Sequence, residues 1–102
     1  MGEIVGFGSG ACFCRNIERL TSICNMKYVC DNDPNKWGKE LYDGVVCISP
    51  KKLKEMSDAT VIIMVDDIGV SFEIAKQLVD MGVTDFTHIT NWNRAVDKDI
   101  RV

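Results

Sequence analysis

The sequence predicts an α/β protein, a five-stranded parallel sheet with helices on both faces, in the strand order 3-2-1-4-5. Three observations carry that expectation. Short apolar runs alternate with amphipathic stretches along the chain, the pattern that parallel strands and their crossover helices produce. EIVGF at 3–7 and TVIIMV at 60–65 are apolar on successive residues, as strands buried on both faces are. A glycine-rich turn at 6–11, GFGSGA, joins the first run to the first amphipathic stretch.

Each element has its own reason. EIVGF is the first strand and stops at glycines. From Ala11 to Cys24, Phe13, Ile17, Leu20 and Cys24 recur at helical spacing, and Asn25 is a left-handed terminator. KYVC at 27–30 is the second strand. The segment 31–44, DNDPNKWGKELYDG, is rich in Asp, Asn, Pro and Gly and reads as a surface loop. VVCI at 45–48 is the third strand, and Ser49 then Pro50 give an N-cap and a first helical residue for a short helix to about Met56. TVIIMV is the fourth strand and central. Ser71 to Met81 forms the next amphipathic helix, with Phe72, Ala75, Leu78 and Val79 inward and Gly82 at its end. DFTHIT at 85–90 is the fifth strand, and the tail NWNRAVDKDIRV gives no reading beyond a helical turn. In this order strands one and four are neighbours at the point where the crossovers diverge, and a crevice opens at their carboxyl ends.

Bulk properties narrow the function classes. The 102 residues suffice for one domain, 1–102, with one core. Hydrophobic residues at 46% and charged residues at 26% are ordinary globular values, and the longest apolar run, VIIMV, is too short to span a bilayer. A soluble protein without a membrane partner is expected. MGEIVG has no secretory pattern, and Gly6 stands where a myristoylation motif wants Ser or Thr, so the cytoplasm is the expected compartment. The five cysteines, an odd number, read as reduced thiols. The net charge of −3, with no basic cluster longer than Lys51-Lys52, argues against nucleic acid as a partner.

The candidate site lies at the glycines. Gly6, Gly8 and Ala11 match G-x-G-x-x-G/A between a strand and a helix, the context that a dinucleotide cradle requires. Gly8 lets backbone approach a pyrophosphate, Gly10 adds freedom, the Ser9 hydroxyl is a donor, and the amides from Ser9 through Ala11 to Cys12 offer positive dipole at the helix start. Asp31 ends the second strand 20 residues after Ala11, the place of a carboxylate that accepts from an adenosine ribose. Asp33 just beyond it disfavours a ribose 2′-phosphate and so points to NAD over NADP; turn chemistry is its other reading. The bland alternative for the whole motif is a tight turn that binds nothing.

Other residues carry weaker signals. Asp66 and Asp67 follow the fourth strand and face the crevice from its far side, as ribose or cation ligands or as caps of the next helix. Cys12 and Cys14 lie about 200° apart on a regular helix and cannot share an ion, which argues against zinc. Cys12 at the helix start is the candidate thiolate. His88, the only histidine, lies on an edge strand with no nucleophile motif nearby. Trp37 stacks on an adenine or covers the sheet edge, while Lys36 and Lys39 are solvated or reach a phosphate.

IVGFGSGACFCRNIERL, YVCDNDPNKWGKELYDGVVCISPKKLKE and TVIIMV together resemble the small Rossmann-like nucleotide-binding domains of bacterial surface-polysaccharide biosynthesis proteins. Such domains accompany nucleotide-sugar dehydratases and epimerases, sugar acyltransferases and methyltransferases. The resemblance covers about residues 3–82 and is most specific at DNDPNKWGK, Asp43-Gly44 and Ser49-Pro50. It implies an NAD-like or nucleotide-sugar ligand at Gly6, Gly8, Ser9, Ala11, Asp31 and Asp33. The CFC at the helix start departs from the more polar start usual there. With half the sheet of a two-halved dinucleotide fold and no placed acid–base pair, the expected role is an accessory or regulatory nucleotide-binding module. It would self-associate or serve a partner enzyme domain. The alternatives are a small enzyme using Asp66, Asp67 or His88 on a nucleotide-sugar, and an interaction domain that binds no nucleotide.

Overall fold

The apolar runs lie side by side in one sheet, because each is too hydrophobic to face water on either side. The computed structural model describes residues 2–100, the side chains of 96–100 excepted. The strands are β1 (Ile4–Phe7), β2 (Tyr28–Cys30), β3 (Glu40–Tyr42), β4 (Val45–Ile48), β5 (Thr60–Ile63) and β6 (Phe86–His88). Their spatial order is β3-β4-β2-β1-β5-β6, and every neighbouring pair is parallel except β3 with β4. Three helices join strands, α1 (Ala11–Cys24), α2 (Pro50–Glu55) and α3 (Ile68–Asp80), and α4 (Ile89–Ile100) follows β6.

The sheet is a boundary between two apolar clusters. On one face α1 lays Phe13, Ile17 and Leu20 against Val29, Cys47 and Ile62, with Ile89 and the partly buried Trp92 of α4 beside them. On the other, Leu53 of α2 and Ile74 and Leu78 of α3 cover Val5, Phe7, Val61 and Ile63. Side chains alternate across each strand, so β1 sends Val5 and Phe7 to the second face. β1 sits between β2 and β5, with Gly6 opposite Val29 and Ile62. That placement puts the carboxyl ends of β1, β2 and β5 side by side.

Several boundaries follow their local chemistry. Asn25 ends α1 in the left-handed conformation, at φ 53. The Ser49 hydroxyl accepts from the Lys52 amide at 3.1 Å, capping α2 with Pro50 at its first position. Other expectations need correction. The sheet has six strands, not five, and its order starts with an antiparallel edge strand in the segment expected to be loop. Asp43-Gly44 closes a two-residue hairpin between Tyr42 and Val45, a strong turn signal that the polar composition around it masked. α3 starts at Ile68 rather than Ser71, because Asp67 caps it by accepting from Val70 N at 3.0 Å. Its inward residues are Ile74 and Leu78, whereas Phe72 and Val79 are 68% and 62% exposed. The tail from 91 continues α4 rather than forming a single turn; residues 101–102 lie outside those described.

The core also sorts the cysteines. Cys12, Cys30 and Cys47 are buried, Cys24 is half-buried and Cys14 is exposed. Burial, with Cys47 and Asp31 nearby, pushes the Cys30 thiol up to about 12, far from the thiolate that reacts. A maleimide added near neutral pH should therefore modify Cys14 first and Cys24 more slowly. Peptide mass spectrometry should find Cys12, Cys30 and Cys47 modified only after denaturation, and native labelling of Cys30 at the rate of Cys14 would contradict this packing.

Candidate functional site

The glycine turn is held from beneath. Gly8 adopts φ +109, and its amide donates to the Cys30 carbonyl at 2.9 Å. A Cβ there would lie 2.8 Å from the Met64 carbonyl oxygen and 3.0 Å from Val65 Cγ1. A Cβ on Gly6 would meet Met64 Sδ at 2.8 Å. Close approach to backbone at the end of β5 thus requires a glycine at position 8, whereas at position 6 the Met64 side chain would have to shift. Gly10 differs, since a Cβ there has no heavy atom within 4 Å and would enter open space.

α1 leaves this turn without a cap. Gly10 is its N-cap, no side chain bonds the first amides, and the Gly10 carbonyl accepts the first helical bond from Cys14 N at 3.1 Å. α2 and α3 begin on a Ser and an Asp that satisfy theirs. An uncapped helix start leaves donors and the positive end of the dipole for an anion.

Asp31 sits directly across from the turn. Its Oδ2 accepts from the Ser9 hydroxyl at 2.5 Å and from the Ser9 amide at 3.1 Å, while Oδ1 accepts from the Asp33 amide at 2.8 Å. Lys36 Nζ lies 3.0 Å from Ser9 Oγ and 3.9 Å from Asp31 Oδ2. Burial alone would raise the Asp31 carboxyl. The Ser9 hydroxyl, the Asp33 amide, the Lys36 ammonium and the Ser9 amide outweigh it, and the group sits below its ordinary value. These residues form one wall of a cleft of about 380 Å³, with Val65 and the first turns of α3 opposite, a size in the range of small-ligand sites. Beside it, a crevice of about 190 Å³ separates Gly10 and Ala11 from Asp66 and Asp67.

The two aspartates after β5 divide their roles. Asp67 caps α3. Both oxygens of Asp66 accept from Arg15 Nη2 at 2.6 Å, and the guanidinium holds the Asp66 carboxyl below its ordinary value. Cys12 is no thiolate: burial first, then the Asp66 charge, raise its thiol above the ordinary value despite the helix start. Asp33 spends its Oδ1 on the Asn35 amide at 3.0 Å, a turn contact. Trp37 donates from Nε1 to the Asp31 carbonyl at 2.7 Å, which pins the loop, and it does not line the cleft. His88 accepts from the Thr90 amide at Nδ1, 3.1 Å, so Nε2 carries the proton donated to the Val65 carbonyl at 2.8 Å. It ties β6 to the end of β5 and starts α4.

The structure therefore brings Gly8, Ser9, Gly10 and Asp31 to one cleft, with Ala11, Cys12 and Asp66 at the adjoining crevice; Gly6 and Asp33 support it from outside. It adds residues that the sequence did not single out for the site. Arg15 stands one turn past Ala11, on the same side of α1. Asn32 follows Asp31, and its side chain reaches Gln77 on α3. Adjacency to Asp31 was the available signal for Asn32; only the fold places Gln77.

No protein-family model matches the chain, and no curated protein matches it either. Among solved structures it is similar to the crystal structure of RSP, a Rex-family repressor, with a TM-score of 0.58 at 14% identity. The likeness is one of fold. It covers 98% of this chain, which spans 59% of the repressor's length.

Two outcomes follow from this geometry. Asp31, lowered in the folded state, contributes stability that is present above its unfolded value of about 3.9 and is lost as pH falls through the lower folded value. Asp31→Asn should flatten acid unfolding in that window, followed by circular dichroism; an unchanged acid limb would contradict the network. Gly8→Val should cost at least about 1–3 kcal/mol in urea unfolding, from strain at positive φ and the clash with Met64. Wild-type stability in that variant would contradict the close approach.

Proposed function

We propose that the chain is a Rossmann-like nucleotide-binding module whose ligand is an NAD-like dinucleotide. One observation carries the reading: the uncapped start of α1 borders the crevice beside the cleft that the Asp31 carboxylate lines, and Gly10 lines both. The amides of Ala11 and Cys12 take the diphosphate, and Asp31 takes the ribose hydroxyls once Ser9 releases it. A hydroxyl and two amides now occupy the Asp31 oxygens, so the free protein holds in place the hydrogen bonds that ribose would make. Arg15 and Lys36 flank the diphosphate path and can move to it.

The accessory or regulatory role rests on what the polar groups do. Asp67 caps a helix, Asp66 is paired with Arg15, and both nitrogens of His88 are engaged. None of them stands as a free acid or base. A regulatory role also accords with the similar solved structure being a repressor. The link to surface-polysaccharide enzymes rests on sequence resemblance, and nucleotide-sugars are accordingly the second ligand class to test.

Calorimetry with NAD, NADP and UDP-sugars tests this reading, against wild type and Gly10→Asp. The new carboxylate has open space, caps α1 itself and repels phosphate. Wild type should bind NAD at micromolar strength, and Gly10→Asp should lose binding while its melting temperature holds or rises. Silence of the wild type across the panel would overturn the reading, as would undiminished binding by the variant.

A further inference from the structure

Asn32 and Gln77 are 45 residues apart in sequence, yet their carboxamides pair reciprocally. Asn32 Nδ2 donates to Gln77 Oε1 at 3.0 Å, and Gln77 Nε2 donates to Asn32 Oδ1 at 2.9 Å. The ring they form links the loop after β2 to the third turn of α3. Both residues line that cleft. Gln77 and Glu73 also line the neighbouring hollow of about 520 Å³ between α2 and α3.

We propose that Asn32 and Gln77 read the base of the nucleotide, exchanging each other for the amino-bearing edge of an adenine. The inference rests on the nucleotide reading above. With phosphate at the start of α1 and ribose at Asp31, the base emerges beside Asn32, the next residue in the chain. Val65, Val70 and Ile74 give the cleft an apolar floor for its ring face.

The exchange conserves hydrogen bonds. In the pair each carboxamide gives one donor and one acceptor, and the edge of adenine that carries N7 offers the same adjacent set, an amino N–H and the N7 acceptor. The pair is exposed, where water competes for such bonds and opening is cheap. Hypoxanthine puts a carbonyl beside N7, two adjacent acceptors that a carboxamide offering one donor and one acceptor cannot match, and this sets the sign of the selection. The carboxamides are uncharged and add nothing to phosphate binding, so their contribution is separable from that of the cradle.

The test compares NAD with deamino-NAD, in which a carbonyl replaces the adenine amino group and N1 gains a proton while N7 is unchanged, by calorimetry on wild type and on Asn32→Ala/Gln77→Ala. Wild type should prefer NAD by about tenfold or more, the range of one bidentate base contact. The double variant should fold normally, judged by its melting temperature, bind NAD more weakly and lose the preference. Equal binding of the two ligands by wild type overturns the inference and leaves the nucleotide reading standing. A preference that survives in the double variant does the same. Failure of wild type to bind either ligand overturns both.

Discussion

The absence of room for a side chain at Gly8 is the constraint from which the site follows. The turn after β1 presses on the end of β5, with the missing Cβ 2.8 Å from the Met64 carbonyl oxygen. A positive φ at that residue is what turns the chain away from the sheet and aims α1 at the switch point. The Gly8 amide is anchored on the Cys30 carbonyl, which leaves Ser9 opposite Asp31. Close packing on β5 therefore decides where the helix dipole points and which carboxylate it faces. The glycine is a requirement of folding before it is one of binding.

Electrostatics then settle what that geometry can receive. Asp31 stays ionised because its partners exceed the cost of its burial. The same partners, a hydroxyl, two amides and an ammonium, are the groups that a sugar and a phosphate would replace or recruit. The first turn of α1 adds unpaired donors, and Arg15 adds a cation held in reserve by Asp66. A binding site with these parts needs no basic patch, which fits a chain of net charge −3.

Local signals made much of the fold legible in the sequence, and tertiary choices hid the rest. α1 was readable to its ends because an apolar stripe, a glycine start and Asn25 all agreed. The Asp43-Gly44 hairpin was present in the sequence but lay within a polar stretch, and a three-residue edge strand has too few apolar positions to announce itself. The face of α3 is legible only in part because two apolar stripes coexist on it: the expected Leu78 is buried with Ile74 and Ala75 packs beside them, while the expected Phe72 and Val79 are 68% and 62% exposed. Periodicity alone does not say which stripe meets the sheet. The site divides along the same line. Gly8, Ser9, Gly10 and Asp31 belong to a motif written in contiguous residues and their spacing. Gln77 and Arg15 join them only once the sheet has closed.

The most direct measurement is a titration of NAD followed by the backbone amide resonances of isotope-labelled protein. The account predicts that the largest shifts fall on Ser9 and on Ala11 to Phe13, with Asp31 and Asn32 moving alongside and the α4 amides staying still. Shifts centred instead on the exposed face of α3, with Ser9 to Phe13 unmoved, would contradict it and place the ligand away from the helix start.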